Sequence, residues 1–355
     1  MGLVYPPILV SDLTLPPFLP YAPHALGAPM ARQAVATELA RRGVPVPASR
    51  VMLTASTSEA YAYLFKLLCD LGDEILFPQP SYPLLAYIAQ AENVSLVPYP
   101  LSWDGQWHIP LAELERRITE KTRAIIVVNP NNPTGSYLRA QEFESLLALN
   151  IPLVSDEVFA PYVLAPNVNH FISVLNAANR RTSGSLCFAL GGLSKYLALP
   201  HLKCAWICMG GDPAAVDEAG ARLECIADTF LSVSAPVQPL LNEWFQAASQ
   251  IQGQIIEHLK ENLAFLTMTC DEARCPLTLR SPEGGWSAVI QLPNLRTDEE
   301  WALSLLEARH VLVHPGYFYD FSDATCVVVS LLTKKDAFKR GIEELLKHVI
   351  SVCAT

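Results

Sequence analysis

Up to about residue 235, short and continuously apolar runs alternate with longer amphipathic segments. Seven of the runs read as strands: Val51–Thr54, Ile75–Phe77, Ser95–Pro98, Ala124–Val128, Pro152–Ser155, Leu186–Leu190 and Ala205–Cys208. Most lack polar alternation, the pattern of strands covered on both faces. Between them, Ser58–Cys69 sets Tyr61, Leu64, Phe65 and Leu68 on one helical face, and Arg139–Leu149 forms another helical stretch. The alternation predicts an α/β fold with a mostly parallel seven-stranded sheet and helices on both faces.

The rhythm changes after Pro236 and Pro239. A helical segment from about Leu240 to Leu266 leads to a break at Gly284–Gly285. A strand over Trp286–Leu292, a helix over Asp298–Ala308, a strand over Cys326–Leu332 and a helix from Lys335 follow. These elements predict a smaller α+β domain. The expected division is a large domain at 22–245 and a small one built from 1–21 and 246–355, with the proline-rich amino terminus extended over the surface.

Composition narrows the choice of function. The chain has 355 residues, 51% hydrophobic and 17% charged, enough for a large core. A net charge of -10 and a pI near 5.3 argue against nucleic acid as a partner, because such binding needs clustered Lys and Arg. The nine cysteines form no CxxC pair and have no His at ligand spacing, so reduced thiols in a cytoplasmic protein are expected, with no metal. Apolar stretches are interrupted by Lys195, Lys203 or Ser330 before they reach membrane-spanning length. No membrane association is expected.

Four segments at strand ends carry unusual chemistry, and strand ends are where open α/β sheets place ligands. Thr54–Ala60, TASTSEA, leaves a strand and enters a helix, so Ser56 and Thr57 are either anion donors or plain helix caps. Asn129–Gly135, NPNNPTG, is a rigid turn able to aim the Asn132 amide at a ligand. Ser155–Phe159, SDEVF, ends an apolar run with two carboxylates, Asp156 and Glu157, of which one needs a partner or a capping role. Gly191–Lys203, GGLSKYLALPHLK, places Lys195 in an apolar, glycine-rich surround. A lysine desolvated there would be an amine nucleophile, and one that snorkels would not.

In this order and at these spacings, the four segments resemble the class I/II aminotransferases, fold type I enzymes that use pyridoxal 5'-phosphate (PLP). The resemblance covers nearly the whole chain, and TASTSEAY followed by GDEILFPQPSYP, Gly72 to Pro83, is similar to one subgroup of that family. It implies that Lys195 carries the cofactor as a Schiff base and moves the substrate's proton, and that Asp156 faces the pyridine nitrogen. Asn132 would donate to the ring 3'-oxygen and Tyr82 would stack on the ring. Ser56, Thr57 and Lys203 would hold the phosphate, Lys203 standing where the family usually has arginine. Tyr21 matches a tyrosine lent to the phosphate of a neighbouring subunit, which implies a homodimer. The implied reaction moves an amino group between a small-molecule amine or amino-acid donor and a keto acceptor. The alternatives are another PLP reaction at the alpha carbon, namely elimination, decarboxylation or oxidation, or a non-catalytic PLP-binding sensor.

The chain departs from the family at three positions. Phe159 replaces a tyrosine that contacts the 3'-oxygen, and Gly192 replaces a phosphate-binding serine. Val328 stands in the place of the arginine that clamps the substrate's α-carboxylate. Arg280 and Lys334 are the basic residues considered as substitutes, and without one the site is expected to discriminate weakly against donors that lack a free carboxylate.

Overall fold

The computed structural model describes residues 23–165, 173–178, 185–272 and 277–354. All seven expected strands join one sheet: β1 (Val51–Thr54), β2 (Glu74–Gln79), β3 (Ser95–Pro100), β4 (Thr122–Val128), β5 (Leu153–Asp156), β6 (Cys187–Gly192) and β7 (Ala205–Gly210). Their spatial order is β1-β7-β6-β5-β4-β2-β3. The pairs from β6 through β5, β4 and β2 to β3 are parallel. Strand β7 runs antiparallel to both β6 and β1. A parallel return needs a long crossover. The link Leu193–Cys204 holds only one helical turn and a 3-10 turn, so the chain reverses at the same end of the sheet. Lys195 sits in that reversal.

Every residue of β6 and β7 is buried, as their apolar composition requires. Val154, Phe188 and Ile207 project into one core layer, packed against the helices Thr57–Leu68 and Pro213–Asp228. Leu153, Cys187 and Cys208 project into the other, under Pro29–Arg41, Leu241–Gln246 and Ala248–Glu272. Each fully buried Leu, Ile or Phe in these layers contributes about 1.5–3 kcal/mol relative to an exposed side chain. The helical segment expected over Leu240–Leu266 divides into the last two of those helices, which meet at Ala247. The Ala247 N–H bonds back to Trp244 at 3.1 Å, and this tight turn lets Trp244, Phe245 and Ala248 all be buried.

Four later strands, β8 (Thr278–Arg280), β9 (Ser287–Gln291), β10 (His314–Pro315) and β11 (Cys326–Ser330), form an antiparallel sheet ordered β8-β9-β11-β10. Ala288, Ile290, Val327 and Val329 face its covering helices, and Val289, Val328 and Cys326 face the other way, with Tyr319. Gly284 ties this unit to the segment after β5 through an isolated bridge with Val163.

Close packing at the end of β6 makes a testable demand on Gly191. A Cβ there would lie 2.4 Å from the indole nitrogen of Trp206. That ring is itself wedged between Tyr196 and Phe245 at centroid distances of 5.7 and 5.8 Å. Gly191→Ala is expected to lower stability by about 1–3 kcal/mol, the usual cost of overpacking. Urea denaturation measures it, and an unchanged midpoint would show that Trp206 is free to move.

Candidate active site

The carboxyl ends of β1, β2, β4, β5 and β6 open at one edge of the large sheet, and each of the four motif segments begins there. Lys195 lies in the helical turn Leu193–Tyr196 directly after β6. Its ammonium nitrogen sits 5.7 Å from the centre of the Phe159 ring and 5.3 Å from that of Trp286, which reaches over from the small unit. It makes no ion pair with any described residue. Aromatic faces attract a cation by only about 0.5–2 kcal/mol, less than water does when the amine is buried. Burial therefore pulls the Lys195 pKa below the ordinary lysine value, with the Asp156 charge opposing. The Tyr162 hydroxyl donates to the Lys195 carbonyl at 2.5 Å and fixes the turn.

Asp156 is the last residue of β5, one strand from the Lys195 segment. Its carboxylate accepts hydrogen bonds from the Tyr61 hydroxyl at 3.0 Å and the Val158 N–H at 3.2 Å. Burial pushes its pKa up to about 6, against the pull of those two donors and of Lys195. A carboxylate in this state holds a proton donor strongly, including the N–H of a heteroaromatic ring. Glu157 accepts instead from the Val174 N–H at 2.9 Å. The two carboxylates left open by the sequence thus separate, Asp156 beside Lys195 and Glu157 bonded to the segment Ser173–Ala178.

After β4, the NPNNPTG turn is held by two asparagines rather than one. The Asn129 side chain accepts from the Leu138 N–H at 2.9 Å, and the Asn131 amide donates to the Pro80 carbonyl and to Thr134 at 3.1 and 3.0 Å. The half-buried Asn132 side chain makes no hydrogen bond among the described residues. Gly135 has a φ of +70°, and a Cβ on it would lie 2.5 Å from the Gly284 carbonyl. No other residue fits.

Ser56 caps the helix Thr57–Leu68, its hydroxyl accepting from the Glu59 N–H at 3.1 Å, and Thr57 opens the first turn. Glu59 folds back to accept from the Ala55 N–H at 2.5 Å and from Ser232 at 2.8 Å. The Glu59 carboxylate therefore occupies part of this helix start. Tyr82 is 52% exposed, on the loop between β2 and the helix Leu84–Ala91. Lys203 is exposed, in the left-handed region at φ 48°, with no hydrogen bond or ion pair among the described residues. Tyr21 lies outside the described residues.

The departures have physical reasons. A side chain at Gly192 would bring its Cβ to 2.9 Å from that of Ala205, so a serine there would require the paired strand to give way. Phe159 is buried against Trp286. Val328 is buried in the small sheet. Arg280 is committed elsewhere: it pairs with Asp323 at 2.7 Å, donates twice to Gln291 and lies over Trp103 and Trp107. Lys334 is exposed at the start of the last helix, Lys335–Cys353. Sequence reasoning missed Tyr61, which reads as one more residue of a buried helical face, and Trp286, which reads as the start of a strand. Among the described residues no group of His, Cys, Asp or Glu could hold a metal, and no helix is long and apolar enough to cross a membrane.

The family model described as aminotransferase class I and II matches residues 22–344. The chain is 28% identical over 335 residues to alanine aminotransferase of Mycobacterium tuberculosis (strain ATCC 25618 / H37Rv), covering 89% of this chain and 75% of that protein. It is 24% identical over 327 residues to tyrosine aminotransferase of Mus musculus, covering 88% and 69%. Nicotianamine aminotransferase 1 of Oryza sativa subsp. japonica is 25% identical over 327 residues, and the alignment spans 83% of this chain but only 61% of that protein. In fold, the alanine aminotransferase from Pyrococcus furiosus superposes with a TM-score of 0.85 at 23% identity, over 93% of this chain and 84% of that one. The tyrosine aminotransferase from Leishmania infantum does so with a TM-score of 0.84 at 20% identity, over 98% and 90%.

The buried Glu157 makes stability depend on pH. Burial raises its pKa from 4.5 to about 7, despite hydrogen bonds from Val174 and Ser173. The folded state therefore binds the proton more tightly than the unfolded state, and stability falls as pH rises through that window. Glu157→Gln is expected to be more stable than wild type by about 1–3 kcal/mol at pH 8 and to lose that advantage near pH 4.5. Denaturation of both proteins at the two pH values checks it; equal differences at both would show that Glu157 ionises freely.

Proposed function

The chain belongs to the class I and II aminotransferase family, and from that membership we propose that it is a PLP-dependent aminotransferase. It would transfer an amino group between a small-molecule amine or amino-acid donor and a keto acceptor. The observation that carries this reading is Lys195 itself, a buried amine with lowered proton affinity and no ion-pair partner among the described residues, one strand from a carboxylate that burial has left hungry for a proton donor. The residues present fit the cofactor: an amine for its carbonyl carbon, a carboxylate for its ring nitrogen and an uncommitted amide at Asn132.

When bound, PLP supplies an electron sink for the charge left at the substrate's alpha carbon. The chain's own residues supply position and protons. Lys195 would hold the cofactor's carbonyl carbon and would carry a proton to and from the alpha carbon. Asp156, steadied by Tyr61, would keep the ring nitrogen protonated. Asn132 would donate to the 3'-oxygen and Tyr82 would cover the ring face. The backbone N–H groups at the helix start, with Ser56, Thr57 and Lys203, would take the phosphate. The family resemblance further implies a homodimer in which Tyr21 would be lent to the neighbouring subunit's phosphate, and a cytoplasmic protein with reduced thiols. The proposed division is a large domain at 22–245 and a small one of 1–21 with 246–355.

A panel of amino donors, read as the change in cofactor absorbance and as keto product by mass spectrometry, tests the reaction. Product lacking the amino nitrogen's transfer to an acceptor would count against transamination. Lys195→Ala is expected to lower turnover at least about 10²–10⁴-fold, the contribution of a positioned proton carrier, and to abolish covalent labelling by borohydride. Labelling that persists at another lysine would move the assignment. Asp156→Ala is expected to retain cofactor through the phosphate contacts while losing most of its turnover; near-normal kcat would remove the ring-nitrogen role.

A further inference from the structure

An amino-acid substrate brings an α-carboxylate into the cleft, and Val328 offers it no hydrogen bond. Arg280 is held by Asp323, Gln291 and two tryptophans. It pairs with Val289, which pairs in turn with Val328, so it stands two strands away. The register of the small sheet brings another basic residue closer. His314 on β10 lies directly opposite Val328 on β11. Residues so paired share a sheet face, with Cβ atoms about 5 Å apart.

The surroundings of His314 fix its ring. Its Nδ1 is 3.0 Å from the Tyr319 hydroxyl, and its ring packs beside Phe318 and Tyr319 at 5.9 and 6.1 Å. The Tyr319 carbonyl accepts from the Ser81 N–H at 3.0 Å, so this corner of the small sheet is fastened to the loop that bears Tyr82. His314 itself remains partly exposed while Tyr319 is buried. When the Tyr319 hydroxyl donates to Nδ1, the neutral imidazole carries its hydrogen on Nε2. That leaves one directed donor beside the position from which the arginine is missing.

We propose that His314 is the specificity-determining contact for the substrate's α-carboxylate, donating from Nε2, with Tyr319 as the positioning residue that sets its ring and tautomer. The inference rests on the aminotransferase reading. A single neutral donor replaces a charged, two-pronged one, so discrimination is present but modest, on the order of tenfold, as for one hydrogen bond to a charged group.

The test uses the full chain freed of cofactor and two reduced adducts, phosphopyridoxyl-alanine and phosphopyridoxyl-ethylamine, which differ only in the carboxylate. Their affinities are measured by calorimetry, with no turnover involved. Wild type is expected to favour the alanine adduct about tenfold. His314→Ala should bring that ratio close to one while leaving the affinity for the ethylamine adduct unchanged, which also shows that the variant is folded. His314→Gln, whose amide can donate from nearly the same place, should retain part of the preference, and Tyr319→Phe should reduce it. A ratio unchanged in His314→Ala, or a ratio of one in wild type, overturns the role of His314. Failure of wild type to bind either adduct would instead overturn the cofactor reading beneath it.

Discussion

Two opposite charges taken out of water and left unpaired are what the rest of the site depends on. Lys195 and Asp156 stand at the ends of adjacent strands, near enough to influence each other's proton affinity and yet not joined as a salt bridge. A buried pair in contact would cancel; separated, each keeps an unmet demand, the amine for an electrophile and the carboxylate for a proton. The cost of holding them so is met by the closely packed sheet on either side, where β6 and β7 are buried along their whole length.

The antiparallel turn of β7 is part of the same arrangement. A helical crossover after β6 would carry the chain back across a face of the sheet and away from its edge. The short reversal keeps Lys195 at the strand end, where Phe159 and Trp286 can close over it. At Gly191 and Gly192 no side chain competes with the Trp206 ring and the Ala205 methyl of the paired strand, which fill the space a Cβ would take. The glycine-rich surround of the lysine thus has a packing cause as well as a chemical consequence.

The strands were legible because both faces of the sheet are covered, which writes them as unbroken apolar runs. The direction of Ala205–Gly210 was not, since composition carries no polarity and the short link before the strand decides it. The break at Ala247 has no glycine, proline or capping residue to mark it. Within the site, Lys195, Asp156 and Asn132 stood out through the motifs around them, and the structure sets Asp156 at the end of β5 and Lys195 in the turn that follows the neighbouring β6. Ser56 reads equally as a cap, and a cap is what it forms here. Trp286 and His314 were invisible for a different reason. Their relation to Lys195 and Val328 arises from pairing between distant segments, and the pairing of β10 spans only His314 and Pro315, too short to show alternation.

Gly135 accepts a hydrogen bond from the Gly284 N–H at 3.0 Å, in a space that admits no side chain on either residue. Backbone meets backbone there, with no flexible side chain between them to absorb a displacement. The two units are thus set against each other by main chain alone at this point, as they are again where the Ser81 N–H donates to the Tyr319 carbonyl at 3.0 Å. Asn132 lies three residues before the first contact and Trp286 two residues after it, so a bulkier residue at Gly135 or Gly284 would displace the amide of one unit and the indole of the other together.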